Sequence, residues 1–208
     1  MDQVRRKEEG MILELALIRH GKTFGNIQGR YIGTTDEPLC REGIDALDGR
    51  AADDPAAELV FSSPMKRCMQ TAGILYPGME PYVLEDFREC DFGEFENKNY
   101  KELSGNPAYQ AWIDSGGTMA FPGGESREQV TERTVRAFRQ MLEVCRERQA
   151  TQAALVAHGG TIMTVMEQFA RPKRDYYDWQ VKNGCGFLTE VKKEDESITI
   201  SVIAGISP

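Results

Sequence analysis

Short apolar runs alternate with amphipathic segments along the chain. Nearly continuous apolar runs favour strands that are buried on both faces. The predicted strands cover residues 12–18, 58–61, 81–86, 153–157, 187–191 and 198–203. The last two predicted strands are joined by an acidic, exposed turn.

Segments with apolar residues at helical spacing lie between these strands. Ser63-Pro64 is typical of a helix start, with Ser as the N-cap and Pro at the first helical position. Ser126 and Gln129 form a capping-box pattern ahead of a long amphipathic segment. The predicted helices lie around residues 42–52, from 63 to 75, briefly from 106, from 126 to 145, and around 162–169. This alternation predicts an α/β protein, a three-layer α/β/α sandwich with a mostly parallel central sheet.

The 208 residues are enough for one domain. Residues 1–10 are mostly charged and carry no apolar segment, so we expect a flexible N-terminal extension and no secretory signal. Residues 11–208 are predicted to form a single domain. Residues 97–124 are polar and rich in Gly and Pro with embedded aromatic side chains, so we interpret them as an insertion over one end of the sheet. No apolar run approaches the roughly 18–20 residues of a membrane span.

The net charge of −8 disfavours nucleic acid and anionic membranes as partners. An anionic substrate would therefore need a local cluster of basic groups. The five cysteines show no CxxC spacing, which favours reduced thiols in the cytoplasm over a disulfide framework or a zinc site. The chain has only two histidines, which argues against a His-rich metal site, and no metal is predicted.

Both histidines follow predicted strands. His20 ends the first strand and His158 ends the fourth, so both are expected at the sheet edge where α/β proteins bind ligands. Arg19 precedes His20, and Arg67 lies near the start of the helix after the second strand. Guanidinium groups bind phosphate oxygens bidentately, so these four side chains predict a phosphate pocket. The alternatives are two unrelated histidines with backbone partners and, for Arg67, a solvated helix arginine.

Five motifs in order resemble the histidine phosphatase superfamily, in its phosphoglycerate mutase-like branch. They are Leu-Ile-Arg-His-Gly-Lys-Thr at 17–23, Ser-Ser-Pro-Met-Lys-Arg at 62–67 with Gln-Thr-Ala at 70–72, the acidic segment 88–96, Gly-Gly-Glu-Ser at 123–126, and Ala-His-Gly-Gly at 157–160. Within the family, the chain is most similar to short phosphatases of the α-ribazole phosphatase and broad-specificity kind.

This resemblance implies a phosphoglycerate mutase-like fold and a histidine acid-type phosphatase, a phosphoric monoester hydrolase that acts on a small phosphate ester without a metal or cofactor. His20 would be the nucleophile that carries the phosphoryl group, and Glu89, ahead of Asp91, Glu94 and Glu96, would be the proton donor. The implied residues that neutralise the phosphoryl oxygens are Arg19, Arg67 and His158. The implied substrate-binding residues are Asn26, Thr23 and Gly159, the last through its backbone N–H.

Three features depart from the family pattern. Cys40 stands where the family often has Thr, Ser or Asn as a helix cap, so a weaker cap is expected. Asn97-Lys98 replaces a frequent Gly, and the long extra segment of the true mutases is not evident.

The aromatic residues that either line the pocket mouth or form the core of the insertion are Tyr31, Tyr100, Tyr109, Trp112 and Phe121.

Two other functions remain open. One is a cofactor-dependent phosphoglycerate mutase, which uses the same pocket but retains the phosphoryl group. The other is a non-catalytic module that binds a phosphorylated ligand, against which the intact set of implied catalytic residues argues. The natural substrate and the oligomeric state do not follow from the sequence.

Overall fold

The structure, a computed structural model, describes residues 10–50 and 54–207. The strands are β1 (Met11–Arg19), β2 (Leu59–Ser62), β3 (Tyr82–Val83), β4 (Gln152–Ala157), β5 (Gly186–Glu194) and β6 (Ser197–Ile206). The helices are α1 (Phe24–Ile27), α2 (Arg41–Leu47), α3 (Lys66–Leu75), α4 (Pro107–Asp114), α5 (Arg127–Glu147) and α6 (Gly159–Phe169). Short 3-10 turns lie at Glu85–Phe87, Gly93–Phe95 and Tyr176–Trp179. The predicted extension at 1–10, apart from Gly10, and residues 51–52 of the predicted helix 42–52 lie outside the described residues. That helix is shorter than predicted, because α2 ends at Leu47.

In the described part of the chain, six strands form one sheet in the order β3-β2-β4-β1-β5-β6. Strands β1 to β4 run parallel, whereas β5 and β6 pair antiparallel. Arg19 of β1 lies opposite Ala157 of β4, and Ser62 of β2 lies opposite Val156. The carboxyl ends of β1, β2 and β4 therefore meet at one edge, and the predicted α/β class with a mostly parallel sheet is confirmed.

Both faces of the sheet are covered by helices. Leu15 of β1 packs in a core that α5 and α6 cover and that includes Phe138. Ile18 of β1 packs in a second core with Leu47 of α2 and Ala72 of α3. The continuous apolar run of β1 follows from this arrangement, because side chains on both of its faces are removed from water.

The prediction that Ser63 caps the following helix is wrong. The helix α3 begins at Lys66 with Met65 as its N-cap, and no side chain caps it. The Ser63 hydroxyl instead lies 2.8 Å from Nε2 of His158. Its contact with the Met65 N–H is longer, at 3.4 Å. A buried imidazole nitrogen needs a partner, and this tertiary contact determines the position of the hydroxyl.

The third predicted strand is much shorter than expected. Only Tyr82–Val83 pairs with β2, and a 3-10 turn at Glu85–Phe87 replaces the rest. This turn buries Phe87 completely, and Arg133 donates to the carbonyl oxygen of Asp86 at 2.9 Å. Burial of Phe87 and the Arg133 contact therefore override the local strand preference.

Cys40 forms the cap that its position requires. Its Sγ accepts the Gly43 N–H at 3.4 Å, at the start of α2. Sulfur is a weak acceptor, so the cap is present but weaker than a hydroxyl cap, as expected.

Residues 97–124 carry α4 and form part of a small core that also includes Phe95. The Asn106 side chain caps α4 by accepting the Ala108 N–H at 2.9 Å. Phe95, Leu103 and Phe121 are buried together, and further aromatic side chains pack around them. This core is separate from the two cores of the sheet, and the assignment of 97–124 as an insertion stays a prediction. None of the described helices is long and apolar enough to cross a bilayer.

The core on the α5 side predicts a large cost for truncating Phe138. This side chain is fully buried, so Phe138→Ala should lower the free energy of unfolding by about 3 to 5 kcal/mol through lost burial and a residual cavity. Phe24→Ala is the matched control, because Phe24 is 61% exposed and its truncation should change stability little. Chemical denaturation of both variants measures the difference, and equal losses would contradict this packing.

Candidate active site

His20 is held at the carboxyl end of β1 in one tautomer. Its ring is 3% exposed, and Nδ1 lies 2.7 Å from the carbonyl oxygen of Gly21. A carbonyl oxygen only accepts, so Nδ1 carries the hydrogen and Nε2 carries a lone pair. Burial, together with the charges of Arg67 and Arg19, holds the pKa of His20 well below its ordinary value. The neutral ring is therefore a competent nucleophile.

His158 lies beside His20 at the end of β4. The two ring centroids are 5.3 Å apart, and the His158 ring is fully buried. Ser63 Oγ lies 2.8 Å from Nε2, and Nδ1 lies 3.9 Å from Oε2 of Glu89. Burial and the charges of Arg67 hold the pKa of His158 well below its ordinary value, so this ring is also neutral before any anion binds. The alternative of two unrelated histidines is wrong.

Arg67 is buried beneath the site rather than solvated on α3. Its side chain is 1% exposed, and its terminal nitrogens donate to the carbonyl oxygens of Thr35 at 2.9 Å and Gly33 at 3.1 Å. Arg19 is anchored in a similar way by a 2.8 Å bond to the Val181 carbonyl oxygen. The Nε atoms of both arginines are buried and have no partner among the described residues. Two positively charged groups therefore each keep a donor that an anion would satisfy.

Glu89 is the carboxyl group that lies beside His158. Its side chain is 13% exposed, and Oε1 accepts the Cys90 N–H at 2.9 Å. Burial raises the pKa of Glu89 above its ordinary value, although the Cys90 N–H and the nearby arginines oppose this shift. Gly160 permits the close approach of this carboxyl, since a Cβ there would lie 2.9 Å from Oε1. Glu89 can therefore hold a proton that a neighbouring group could take.

The three alternative carboxylates have other positions. Asp91 accepts the Gly93 N–H at 2.8 Å, and Glu96 accepts the Gly33 N–H at 2.9 Å, so both stabilise loops. Glu94 is exposed.

Sequence reasoning missed Arg133, which holds the backbone of Glu89. This buried arginine donates to the carbonyl oxygens of Arg88 at 2.7 Å and Glu89 at 3.0 Å, and it pairs with Glu125 at 2.7 Å. The available signal was its position three residues after Val130, on the apolar face of α5. Ser63 was also missed as a partner of His158, because its sequence context indicated a helix cap.

Asn26 and Thr23 lie where the first strand leads into α1. Thr23 is fully buried, and its hydroxyl accepts the Asn26 N–H at 3.2 Å, so its side chain serves as a cap. The amide oxygen of Asn26 accepts from the Thr23 N–H at 3.1 Å and from Asn183 Nδ2 at 3.0 Å. The amide nitrogen of Asn26 is therefore the end that can donate to a ligand. Asn183 was not identified from the sequence.

A cavity of about 310 Å³ opens next to these residues. Arg19, Glu89 and Gly159 are among its lining residues, and a Cβ on Gly159 would lie 3.5 Å from the Arg19 guanidinium. Of the five aromatic residues singled out from the sequence, three line the cavity: Tyr31, Trp112 and Phe121. Tyr109 packs in the insertion core, and Tyr100 is 62% exposed.

Comparison with known proteins agrees with this geometry. Residues 15–203 match the family model of the histidine phosphatase superfamily (branch 1). A metal-independent phosphoserine phosphatase from Arabidopsis thaliana is 29% identical over 76% of this chain and 69% of its own length. A 2,3-bisphosphoglycerate-dependent phosphoglycerate mutase from Rhizobium etli is 30% identical over 76% of this chain and 80% of its own.

A solved structure extends the agreement to the fold. The α-ribazole phosphatase from Shigella flexneri superimposes with a TM-score of 0.77, at 23% identity over 91% of this chain and 95% of its own. The expected phosphoglycerate mutase-like fold is therefore confirmed, and the chain belongs to branch 1 of the histidine phosphatase superfamily.

Proposed function

We propose that the protein hydrolyses phosphate monoesters of small metabolites through a phosphohistidine on His20, without a metal. The observation that carries this proposal is a neutral, buried imidazole near two arginines whose Nε atoms have no hydrogen-bond partner among the described residues. A phosphate group carries the negative charge that pairs with these guanidinium groups, and its oxygen atoms can accept from their unpartnered N–H donors.

The first step transfers the phosphoryl group to the enzyme. Nε2 of His20 attacks phosphorus, and the N–P bond forms as the ester P–O bond breaks. Glu89 gives its proton to the leaving oxygen, so that an alcohol departs rather than an alkoxide. The raised pKa of Glu89 supports this role, because the carboxyl remains protonated to higher pH than an ordinary one.

The second step returns the enzyme to its starting state. Water attacks the phosphohistidine, the Glu89 carboxylate takes a proton from that water, and the P–N bond breaks to release inorganic phosphate. Throughout both steps Arg19 and Arg67 face the phosphoryl oxygens, and bonds from Arg67 to Thr35 and Gly33 keep its guanidinium in a fixed position. Fixed donors stabilise charge without reorganisation during the reaction.

The remaining contacts come from groups that surround the same oxygens. Asn26 would donate through its amide nitrogen, and the N–H of Gly159 would donate from the N-terminus of α6. A bound dianion would raise the pKa of His158, which could then donate as an imidazolium.

The mutase alternative is supported by the Rhizobium etli relative, but the charges favour hydrolysis. A mutase must hold a phosphoglycerate carboxylate, which calls for cations beyond the phosphoryl site. The three arginine and lysine residues that could supply such a contact are already ion-paired: Arg30 with Glu102, Lys22 with Glu42, and Arg127 with Glu167.

Cysteine chemistry supports a reducing compartment. All five cysteines are free thiols, and Cys68 and Cys145 are buried. Because stable disulfides are rare in the cytosol, we propose a cytoplasmic location.

The nucleophile is tested by His20→Ala. Removal of the attacking nitrogen should reduce turnover of p-nitrophenyl phosphate by several powers of ten while the circular dichroism spectrum is unchanged. Acid-quenched wild-type enzyme should contain a phosphohistidine that the variant lacks, as measured by mass spectrometry. Activity above about a hundredth of wild type would contradict the assignment.

The acid is tested by Glu89→Gln. Hydrolysis of an alkyl phosphate should fall far more than hydrolysis of p-nitrophenyl phosphate, since a good leaving group needs little protonation. Wild-type activity on the alkyl ester should decline as pH rises through the Glu89 pKa, and the variant should lose that decline. On the acid side, His20 should stay neutral until the pH is well below its ordinary pKa of 6.5.

Glu94→Gln is the matched control for this experiment. Glu94 is exposed, so its neutralisation should leave the hydrolysis rates of both substrates unchanged. Equal losses on the two substrates in Glu89→Gln would assign the acid to another group, such as His158 or Asp91.

Hydrolysis is distinguished from mutase activity by product analysis. With 3-phosphoglycerate and a bisphosphoglycerate primer, we expect inorganic phosphate to form faster than 2-phosphoglycerate. Both products can be measured by ³¹P NMR in the presence of a chelator. Faster formation of 2-phosphoglycerate would establish the mutase instead.

A further inference from the structure

We infer that Arg133 is a positioning residue for proton transfer to the leaving group, because it fixes the backbone that carries the carboxyl group of Glu89. This inference rests on the proposed hydrolase function, in which Glu89 protonates the leaving oxygen. Arg133 stands on α5, is 4% exposed, and is not among the residues that line the cavity next to the site. Its effect on the reaction must therefore pass through the groups that it holds.

The guanidinium group of Arg133 uses each of its N–H donors within the protein. Nη1 donates to the carbonyl oxygens of Asp86 at 2.9 Å and Arg88 at 2.7 Å. Nη2 donates to the carbonyl oxygen of Glu89 at 3.0 Å and to Oε2 of Glu125 at 2.7 Å. Nε donates to Oε1 of Glu125 at 2.8 Å. The planar set of donors is thus fully occupied, and none is left for a substrate.

This arrangement differs from that of the two arginines in the phosphoryl site. Arg19 and Arg67 are also buried, but the Nε atom of each has no hydrogen-bond partner among the described residues. Those two side chains can bind an anion, whereas Arg133 can only hold the chain. The hydrogen bonds of the three arginines therefore separate two that can contact substrate from one that acts at a distance.

The position of the Glu89 carboxyl group depends on the backbone next to it. Among the described residues, its hydrogen bond comes from the Cys90 N–H, which lies 2.9 Å from Oε1. That donor belongs to the following residue, so the carboxyl group moves with the backbone at 89–90. Nδ1 of His158 lies 3.9 Å from Oε2, which is too long for a hydrogen bond. The carbonyl groups that Arg133 holds thus determine where the acid stands.

Glu125 extends the constraint to the other side of Glu89. Its Oε2 accepts the Asp91 N–H at 3.0 Å, and its own N–H donates to the Asp91 carbonyl oxygen at 2.9 Å. The neighbouring Gly124 permits this approach, since a Cβ there would lie 2.3 Å from that carbonyl oxygen. Arg133 and Glu125 together therefore fix the backbone before and after the acid.

The geometry of Arg133 contributes more to proton transfer than its charge. Burial raises the pKa of Glu89, and the charge of Arg133 opposes that shift. As a charge alone, Arg133 would reduce the protonated fraction of the acid. Its benefit must come from placement, for which an error of about 1 Å can cost about 100-fold in rate.

The experiment measures kcat/KM for n-butyl phosphate and for p-nitrophenyl phosphate, and the ratio of the two values is the alkyl-to-aryl ratio. Lysine keeps the charge of Arg133, but its single nitrogen cannot hold Glu125 and three carbonyl oxygens together. Arg133→Lys should therefore lower kcat/KM for n-butyl phosphate by at least about tenfold. The value for p-nitrophenyl phosphate should fall by less than about threefold, because a good leaving group needs little protonation.

Arg136→Lys is the matched control. Arg136 stands on the same helix and bonds to the carboxylate of Asp86 at 2.9 Å, but its side chain is 65% exposed and holds no carbonyl oxygen next to Glu89. Its alkyl-to-aryl ratio should equal that of wild type.

A second variant guards against misfolding of Arg133→Lys. Glu125→Gln keeps the size of the side chain, but its amide nitrogen cannot accept from Arg133 or Asp91. It should lower the alkyl-to-aryl ratio in the same direction. Circular dichroism and chemical denaturation establish that each variant is folded.

The double variant Glu89→Gln/Arg133→Lys tests whether Arg133 acts through the acid. Its alkyl-to-aryl ratio should equal that of Glu89→Gln alone, because no acid remains to be positioned. A further fall of the ratio in the double variant would overturn the inference. An unchanged ratio in a folded Arg133→Lys or Glu125→Gln, or equal losses on both substrates, would also overturn it.

The single variant Glu89→Gln distinguishes this inference from the proposed function. If Glu89→Gln itself leaves the alkyl-to-aryl ratio unchanged, the proposed acid is wrong. If Glu89→Gln lowers the ratio and Arg133→Lys does not, only the role of Arg133 is wrong.

Discussion

The active site depends on the burial of one positive charge, the guanidinium of Arg67. The carbonyl oxygens of Ile32, Gly33 and Thr35 accept from it, and no carboxylate is bonded to it among the described residues. Its uncompensated charge is a cause of the lowered pKa of both His20 and His158. Together with burial, this charge keeps the imidazole of His20 neutral, and it favours the arrival of an anion. Burying a charge in this way costs stability, and a bound phosphate would offset the cost.

A second buried arginine supports the opposite side of the site. Arg133 pairs with Glu125 and donates to the carbonyl oxygens of Arg88 and Glu89. The two arginines have different partners and therefore different effects. Arg133 pairs with Glu125 and holds the backbone at Glu89, whereas Arg67 has carbonyl partners and adds to the effect of burial in lowering the pKa of both histidines. Replacement of either by lysine would keep the charge but lose the planar set of donors.

The sequence predicts the positions of the two histidines better than it predicts the residues that contact them. His20 and His158 could be placed because each ends an apolar run, and parallel strands bring their carboxyl ends to one edge. Ser63 could not be assigned, because its local context with Pro64 favours a helix cap and the competing contact with His158 lies 95 positions away. The positions of Tyr176 and Tyr177 in the cavity wall could not be predicted either, since only the tertiary fold brings this turn to the insertion. Long-range contacts between loops leave no periodic pattern in a sequence.

The division of the pocket between two parts of the fold has a consequence for evolution. The groups that we propose to face the phosphoryl oxygens stand on or beside the central strands, where a substitution disturbs both cores of the sheet. Side chains that line the neighbouring cavity, such as Trp112, Tyr176 and Tyr177, belong to neither of those cores, although Trp179 of the same 3-10 turn does. Mutations can therefore accumulate on the outer side without loss of phosphoryl chemistry. Such modularity offers a route by which one scaffold could acquire new substrates through drift and selection at its rim.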